Sequence, residues 1–176
     1  MFFKRIKKNK IFSINTSSGF TLIESMVAIS ILLIAITGPL VMATQGLRSS
    51  RFAKNQIIAF YLAQDTIEYV RSIRDSNFLS GSSWLTNLTD CVNGYCQVDV
   101  TTSNISTCGA ECPLLRKSIE GLYGYNTGWS EIGFRRNVRI YQRSSTNLDE
   151  VYLEVEILWD NDDKNFIVRE SLFDLN

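Results

Sequence analysis

The chain has 176 residues, with 18 basic and 18 acidic side chains and no histidine. That length holds one small domain plus an anchor, and the lack of histidine excludes Ser-His-Asp and Cys-His catalysis and every His-ligated metal centre. The zero balance is unevenly spread: Lys4, Arg5, Lys7, Lys8 and Lys10 precede residue 19 with no acid among them, and taking these five from 18 leaves 13 basic against 18 acidic side chains, a poor match to nucleic acid, which demands clustered Lys and Arg.

The basic leader ends at Gly19, and an apolar run with one early carboxylate, Glu24, follows. Secretory signal peptides are arranged differently, with the apolar region ahead of the cut. From Ser25 to Ala43 no residue is charged. Those 19 residues make about 29 Å of helix, close to the hydrocarbon thickness of a bilayer. The run is apolar on every face, whereas a surface helix has a polar side. The cationic leader keeps the N-terminus cytoplasmic and the C-terminal part outside; Arg48, Arg51 and Lys54 on the other flank weaken that bias without reversing it.

In order and spacing, the leader and Gly19-Phe20-Thr21-Leu22-Ile23-Glu24 resemble the processing site of type IV pilins and pseudopilins. The resemblance implies removal of residues 1–19 by a membrane-embedded prepilin peptidase, methylation of the Phe20 amine, and assembly with other pilin subunits on a pilus or secretion platform. The chain is then a substrate rather than an enzyme, with no cofactor. It also gives Glu24 a task. A carboxylate inside an apolar helix is costly unless paired, and cleavage after Gly19 creates a cation at Phe20, about 6 Å of helix rise away. At about 4 Å such a pair gains roughly 4 kcal/mol at an effective dielectric of 20, against roughly 1 in water. In the family this attraction aligns an incoming subunit with the filament base. The alternative places Glu24, solvated, at the headgroup boundary.

Pro39 lacks an N–H and crowds the carbonyl of Ala35, so a kink or opening is predicted at Gly38-Pro39. Pilins carry Gly and Pro here, where local unwinding lets packed subunits adjust. Helical character resumes to about Ser76, with Ala59, Ala63, Thr66, Val70 and Ile73 in one stripe able to cover a sheet. Ile57, Phe60, Tyr61 and Tyr69 lie off it as candidate subunit contacts. Glu68 and Arg71 are spaced to pair. The run from Leu62 to Arg74 also resembles the long helix of minor pilins of the pilus-modification type.

Residues 80–90 and 101–110 have loop composition. Leu148 to Trp159 alternates, with Val151, Leu153, Val155, Ile157 and Trp159 on one face and Glu150, Tyr152, Glu154 and Glu156 on the other, which is the pattern of a half-buried strand. Asp160 to Asn165 reads as a turn, Phe166 to Phe173 as the returning strand, Phe134 to Gln142 as a third, and Tyr95 to Thr101 as a fourth. Short connections imply antiparallel pairing. The expected architecture is α+β, a long N-terminal helix on a C-terminal antiparallel sheet. It divides into a leader (1–19), a transmembrane segment (20–43), a helix continuation (44–78) and an extracytoplasmic β domain (79–176).

All four cysteines lie in that last domain. An even number in an exported domain favours disulfides. Asn93-Gly94 is a two-residue hairpin signal that would pair Val92 with Tyr95 and set Cys91 beside Cys96. Cys91–Cys96 is therefore expected, and by elimination Cys108–Cys112. A four-thiolate zinc site competes poorly, because the spacings are unusual for it and the compartment is oxidising. Asp160, Asp162 and Asp163 form an acidic turn, a weak calcium candidate without the EF-hand glycine and glutamate. Asn87-Leu88-Thr89 and Asn104-Ile105-Ser106 fit the glycosylation pattern, which carries little weight in a bacterial protein.

Two other functions follow from other features. A competence pseudopilin would bind DNA, and Arg135, Arg136, Arg139 and Arg143 are the one local basic cluster; a solvated edge face explains them as well. A membrane-anchored binding module would keep residues 1–19 as a cytoplasmic tail.

Overall fold

The computed structural model describes residues 19–92, 94–109, 111–142 and 150–174. The chain divides into two units, Met1–Arg48 and Ser49–Asn176. The main helix, α1 (Leu22–Leu79), runs the whole distance without interruption. With the C-terminal antiparallel sheet it makes an α+β arrangement consistent with the type IV pilin fold. The predicted opening at Gly38-Pro39 does not divide the helix, because Pro39 lies inside α1 and the helical assignment continues on both sides. One missing N–H removes a single rung from a very long ladder.

In the first unit every described residue is exposed. The hydroxyls there return their protons to the helix: Ser25 to Thr21 O (3.0 Å), Ser30 to Met26 O (2.8 Å) and Thr37 to Leu33 O (2.8 Å). Such back-bonding satisfies these polar side chains within the helix itself. Helix α1 is long and apolar enough to cross a membrane.

In the second unit α1 buries Ala59, Leu62, Ala63, Thr66, Ile67 and Val70, with Ile73 partly covered. The expected stripe is therefore present but wider, since Leu62 and Ile67 join it. Small side chains at 59 and 63 let the helix backbone approach the sheet, and Thr66 satisfies its hydroxyl on Leu62 O (2.9 Å). Tyr69, expected among the subunit contacts, packs against this core instead. The helix ends in a Schellman turn. Gly81 takes φ +67, its N–H donates to Phe78 O (3.1 Å), and the Ser82 N–H donates to Asn77 O (2.9 Å). The buried Asn77 amide then ties down the following loop by donating to Trp84 O (3.1 Å) and Thr86 O (2.8 Å).

After a 3-10 turn at Thr89–Cys91 come strands β1 (Cys96–Asp99), β2 (Asn104–Thr107), β3 (Leu114–Lys117), β4 (Tyr123–Gly124), β5 (Ser130–Gln142), β6 (Glu150–Trp159) and β7 (Lys164–Phe173). Strand β5 is the hub. Along one edge it pairs with β6 from Phe134↔Trp159 to Gln142↔Val151, and it also meets β3 (Lys117↔Ser130) and β1 (Cys96↔Val138). The four expected strands are β1, β5, β6 and β7. β2 falls inside a segment read as loop; β3 and β4 were not anticipated. Val151, Leu153, Val155, Ile157 and Trp159 are all buried.

The opposite face of β6 is not simply solvated. Glu154 is buried, and Arg139 on β5 and Arg169 on β7 reach it at 2.6 and 2.5 Å. Burial alone would raise its carboxyl; the two guanidiniums outweigh that and hold it below the ordinary glutamate range. The stability from this pairing is therefore complete above the unfolded glutamate value and lost as pH falls through the lower folded one. Thermal melts of the full chain in detergent at pH 7, 5 and 3 should show a falling Tm at the acid end. Glu154→Gln should flatten that fall while lowering Tm at pH 7; an equally steep fall in the variant would remove Glu154 as its source.

Glu68 and Arg71 do not pair with each other. Arg71 reaches Glu170 on β7 at 2.6 Å, and Glu68 accepts from Gln64 at 3.1 Å. A partner fixed by the sheet outcompetes one held only by helix spacing.

Candidate functional site

The start of α1 is built from four letters. Thr21 precedes the first helical residue, Leu22, and its hydroxyl oxygen accepts the Glu24 N–H at 3.3 Å. Thr21 is thus the N-cap and Glu24 the third helical residue, the S/T-x-x-E spacing of a capping box. Glu24 is the acid of the first turn, where the helix dipole favours negative charge. It makes no ion pair among the described residues, and Phe20 just ahead of it is 80% exposed. Gly19 and Phe20 stand before the helix, where both are exposed and a Cβ at Gly19 would meet nothing within 4 Å. Glu24 lies just beyond this junction, in the first turn of α1. The sequence reading placed the cleavage and charge roles here and missed the cap, which Thr21-Leu22-Ile23-Glu24 spells out. Residues 1–18 lie outside the described part.

On the second unit Ile57, Phe60 and Tyr61 are exposed by 58%, 48% and 64%, as an outer ridge of α1. Phe60 rests edge-on against Phe166 of β7 at 6.2 Å, and with Ile57 and Tyr61 it lines a shallow groove of about 430 Å³.

Cys91 is bonded to Cys96 and Cys108 to Cys112, each with Cα atoms 4.9 Å apart. Among the described residues the pairing of Val92 with Tyr95 argued for the first bridge is not seen. Cys91 closes the 3-10 turn, Val92 bridges to Ile140 rather than Tyr95, β1 pairs with β2, and Asn93 lies outside the described residues. A turn followed by a buried strand brings the sulfurs together as well as a hairpin would.

Among the described residues the arginines are each taken up by acids or carbonyls rather than left as a free basic patch. Arg135 is held by Glu111 (2.6 Å) and Asp162 (3.2 Å), Arg139 by Glu154, and Arg143 lies outside the described residues. Arg136 points the other way and is fully buried, donating to the carbonyls of Val98 and Leu62, with Asp65 at 3.9 Å. The acidic turn does not gather ligands either. Asp162 faces Arg135, Asp163 pairs with Lys164 (2.5 Å), and among the described residues no group of three metal-ligating side chains is assembled.

Residues 14–38 match the family model described as the prokaryotic N-terminal methylation motif. No curated protein and no solved structure matches the chain. The motif indicates a type IV pilin- or pseudopilin-like precursor, and it implies processing by a prepilin peptidase and assembly with other pilins. Proteins bearing it are typically structural rather than catalytic. Together with the apolar N-terminal helix it is consistent with membrane anchoring followed by a place in a pilus.

Proposed function

We propose that this chain is a minor type IV pilin or pseudopilin subunit of the pilus-modification type. It waits in the cytoplasmic membrane, spanning it with residues 20–43 and holding residues 79–176 outside on the helix continuation 44–78. A prepilin peptidase removes residues 1–19 between Gly19 and Phe20, and the Phe20 amine is methylated. The assembly platform then draws the subunit into a pilus or pseudopilus beside other pilins. Glu24 seeks the Phe20 cation of a neighbour.

What carries this reading is the methylation motif over residues 14–38 set on a helix whose apolar surface is wholly uncovered in its first unit. Such a surface is stable only in lipid or against other helices. Methylation keeps the Phe20 amine charged, so the attraction to Glu24 survives it. Mass spectrometry of the N-terminal peptide from cells tests the proposal. The expected result is a chain beginning at methylated Phe20; a working form beginning at Met1 would overturn it and favour an anchored binding module.

A further inference from the structure

Between the C-terminal part of α1, the 3-10 turn and the β1–β2 connection lies an open groove of about 380 Å³, within the roughly 300–1,000 Å³ of small-ligand sites. Half-buried Tyr69 and Ile73 of α1 give it one apolar wall. Asn87, Thr89, Asp90, Ser103 and Asn104 line the rest, and all five are exposed. Among the described residues none of these five side chains is hydrogen-bonded or ion-paired to another. Their backbone is nevertheless held. Leu88, between Asn87 and Thr89, is fully buried, and its N–H donates to Leu85 O at 3.0 Å. Cys91 ends the 3-10 turn and is bonded to Cys96 at the start of β1, while Asn104 pairs with Asp99 across the β1–β2 ladder. Asn87 and Ser103 take left-handed backbone, with φ 64 and 54. Asn adopts that conformation readily and Ser seldom, and such outliers cluster at ligand sites.

We infer that this groove binds a neutral saccharide. The two amides and two hydroxyls both donate and accept, and the Asp90 carboxylate accepts only. Together they match a ligand dense in hydroxyl groups, each itself donor and acceptor. The C–H surface of a sugar ring suits the apolar wall of Tyr69 and Ile73. Charge narrows the class. Asp90 is the one ionisable carboxylate in the lining, and no basic residue is there. A sialic acid, a sulfated sugar, a nucleotide or a phosphate would bring an anion that nothing neutralises and Asp90 repels. A metal ion finds too few ligands, since no group of three is assembled among the described residues. Asp90 would accept from sugar hydroxyls through charge-assisted bonds, the stronger kind. The side chains sit on a bridged turn and a paired strand, so little ordering is left to be done on binding. The two glycosylation patterns, at Asn87 and Asn104, thus fall on one groove. Their asparagines are read here as groups that hold a sugar, not as points of attachment.

The full chain, held in lauryldimethylamine oxide because that detergent has no sugar headgroup, tests this. It is applied to immobilised neutral oligosaccharides of the gluco, galacto, manno and N-acetylhexosamine series, beside sialylated and sulfated ones. The neutral sugar best retained is then titrated in solution. Retention on at least one neutral series and none on the anionic ones is expected. Asp90→Asn and Asn104→Ala should each weaken binding by about tenfold. Both positions are exposed, so the thermal melt should stay at the wild-type value and separate lost binding from lost folding. Four results would overturn the inference: no binding up to about 10 mM sugar, equal or better retention on the anionic sugars, unchanged affinity in both variants, or an intact mass showing a sugar attached at Asn87 or Asn104. The inference goes beyond the proposed function and fails separately from it. Binding by a chain that begins at Met1 leaves the saccharide site standing and overturns the processing reading. A chain that begins at methylated Phe20 and binds no sugar overturns the site alone.

Discussion

Glu24→Val and Glu24→Gln should both reach the membrane at wild-type levels and both lose at least about tenfold in the fraction recovered in sheared filaments. The pair is informative because Thr21 caps α1 through the Glu24 N–H. In a capping box Gln serves in place of Glu, so Glu24→Gln preserves the cap, the side-chain length and the helix start while removing the charge. Glu24→Val keeps the same backbone N–H for the Thr21 cap and removes the charge and the polar side chain together. Attraction between the carboxylate and an amine at about 4 Å is roughly 4 kcal/mol at an effective dielectric of 20, and a third of that already corresponds to about tenfold in an equilibrium. If Gln assembled like wild type and only Val failed, a polar side chain rather than a charge would be what position 24 requires, and the charge-pairing step would have to be abandoned.

Trp159→Ala should be the most damaging single change in the second unit, costing about 4 kcal/mol and lowering Tm by about 10 °C. Trp159 ends β6, is 3% exposed, and stacks on Phe134 of β5 at 6.1 Å while Phe52 of α1 approaches at 6.0 Å. Truncation opens a cavity where helix and sheet both lose aromatic surface. Phe52→Ala, at a half-exposed ring, should cost about 1 kcal/mol. Near-UV circular dichroism of the full chain in detergent, followed through thermal unfolding, reads both. Equal effects would show that the two rings do not differ in burial as described.

Periodicity revealed the helix and the hairpin from β6 to β7, because alternation over Val151–Trp159 and the three- and four-residue steps through Val70 leave each element one way to bury its surface. It failed where burial and polarity disagree. β2 reads Asn-Ile-Ser-Thr, too short and polar to show an alternation, and it pairs with β1 through the backbone and through Gln97 Nε2 donating to Ser106 Oγ at 2.7 Å. Arg136 occupies an inward position of β5, and Glu154 an outward one that is nonetheless buried; both are settled by partners distant in sequence. The same holds for Arg71, which takes Glu170 over its helix neighbour. At the N-terminus the junction and the acid were legible together, since leader, glycine and apolar run occur in a fixed order. The cap was equally legible in Thr21-Leu22-Ile23-Glu24, whose S/T-x-x-E spacing is itself a helix-start signal.

The two sulfur bridges span only five and four residues, whereas β5 awaits β6 and β7 to complete its principal edge. For a polypeptide threaded outward from its amino end, the bridges therefore belong to the early events. Each small ring closes with little entropy loss while distant segments are still in transit. Neighbouring thiols meet first, which guards against scrambled pairing. On the proposed topology, the final hairpin then docks onto a scaffold already stapled at two places, and maturation follows the order in which the segments emerge.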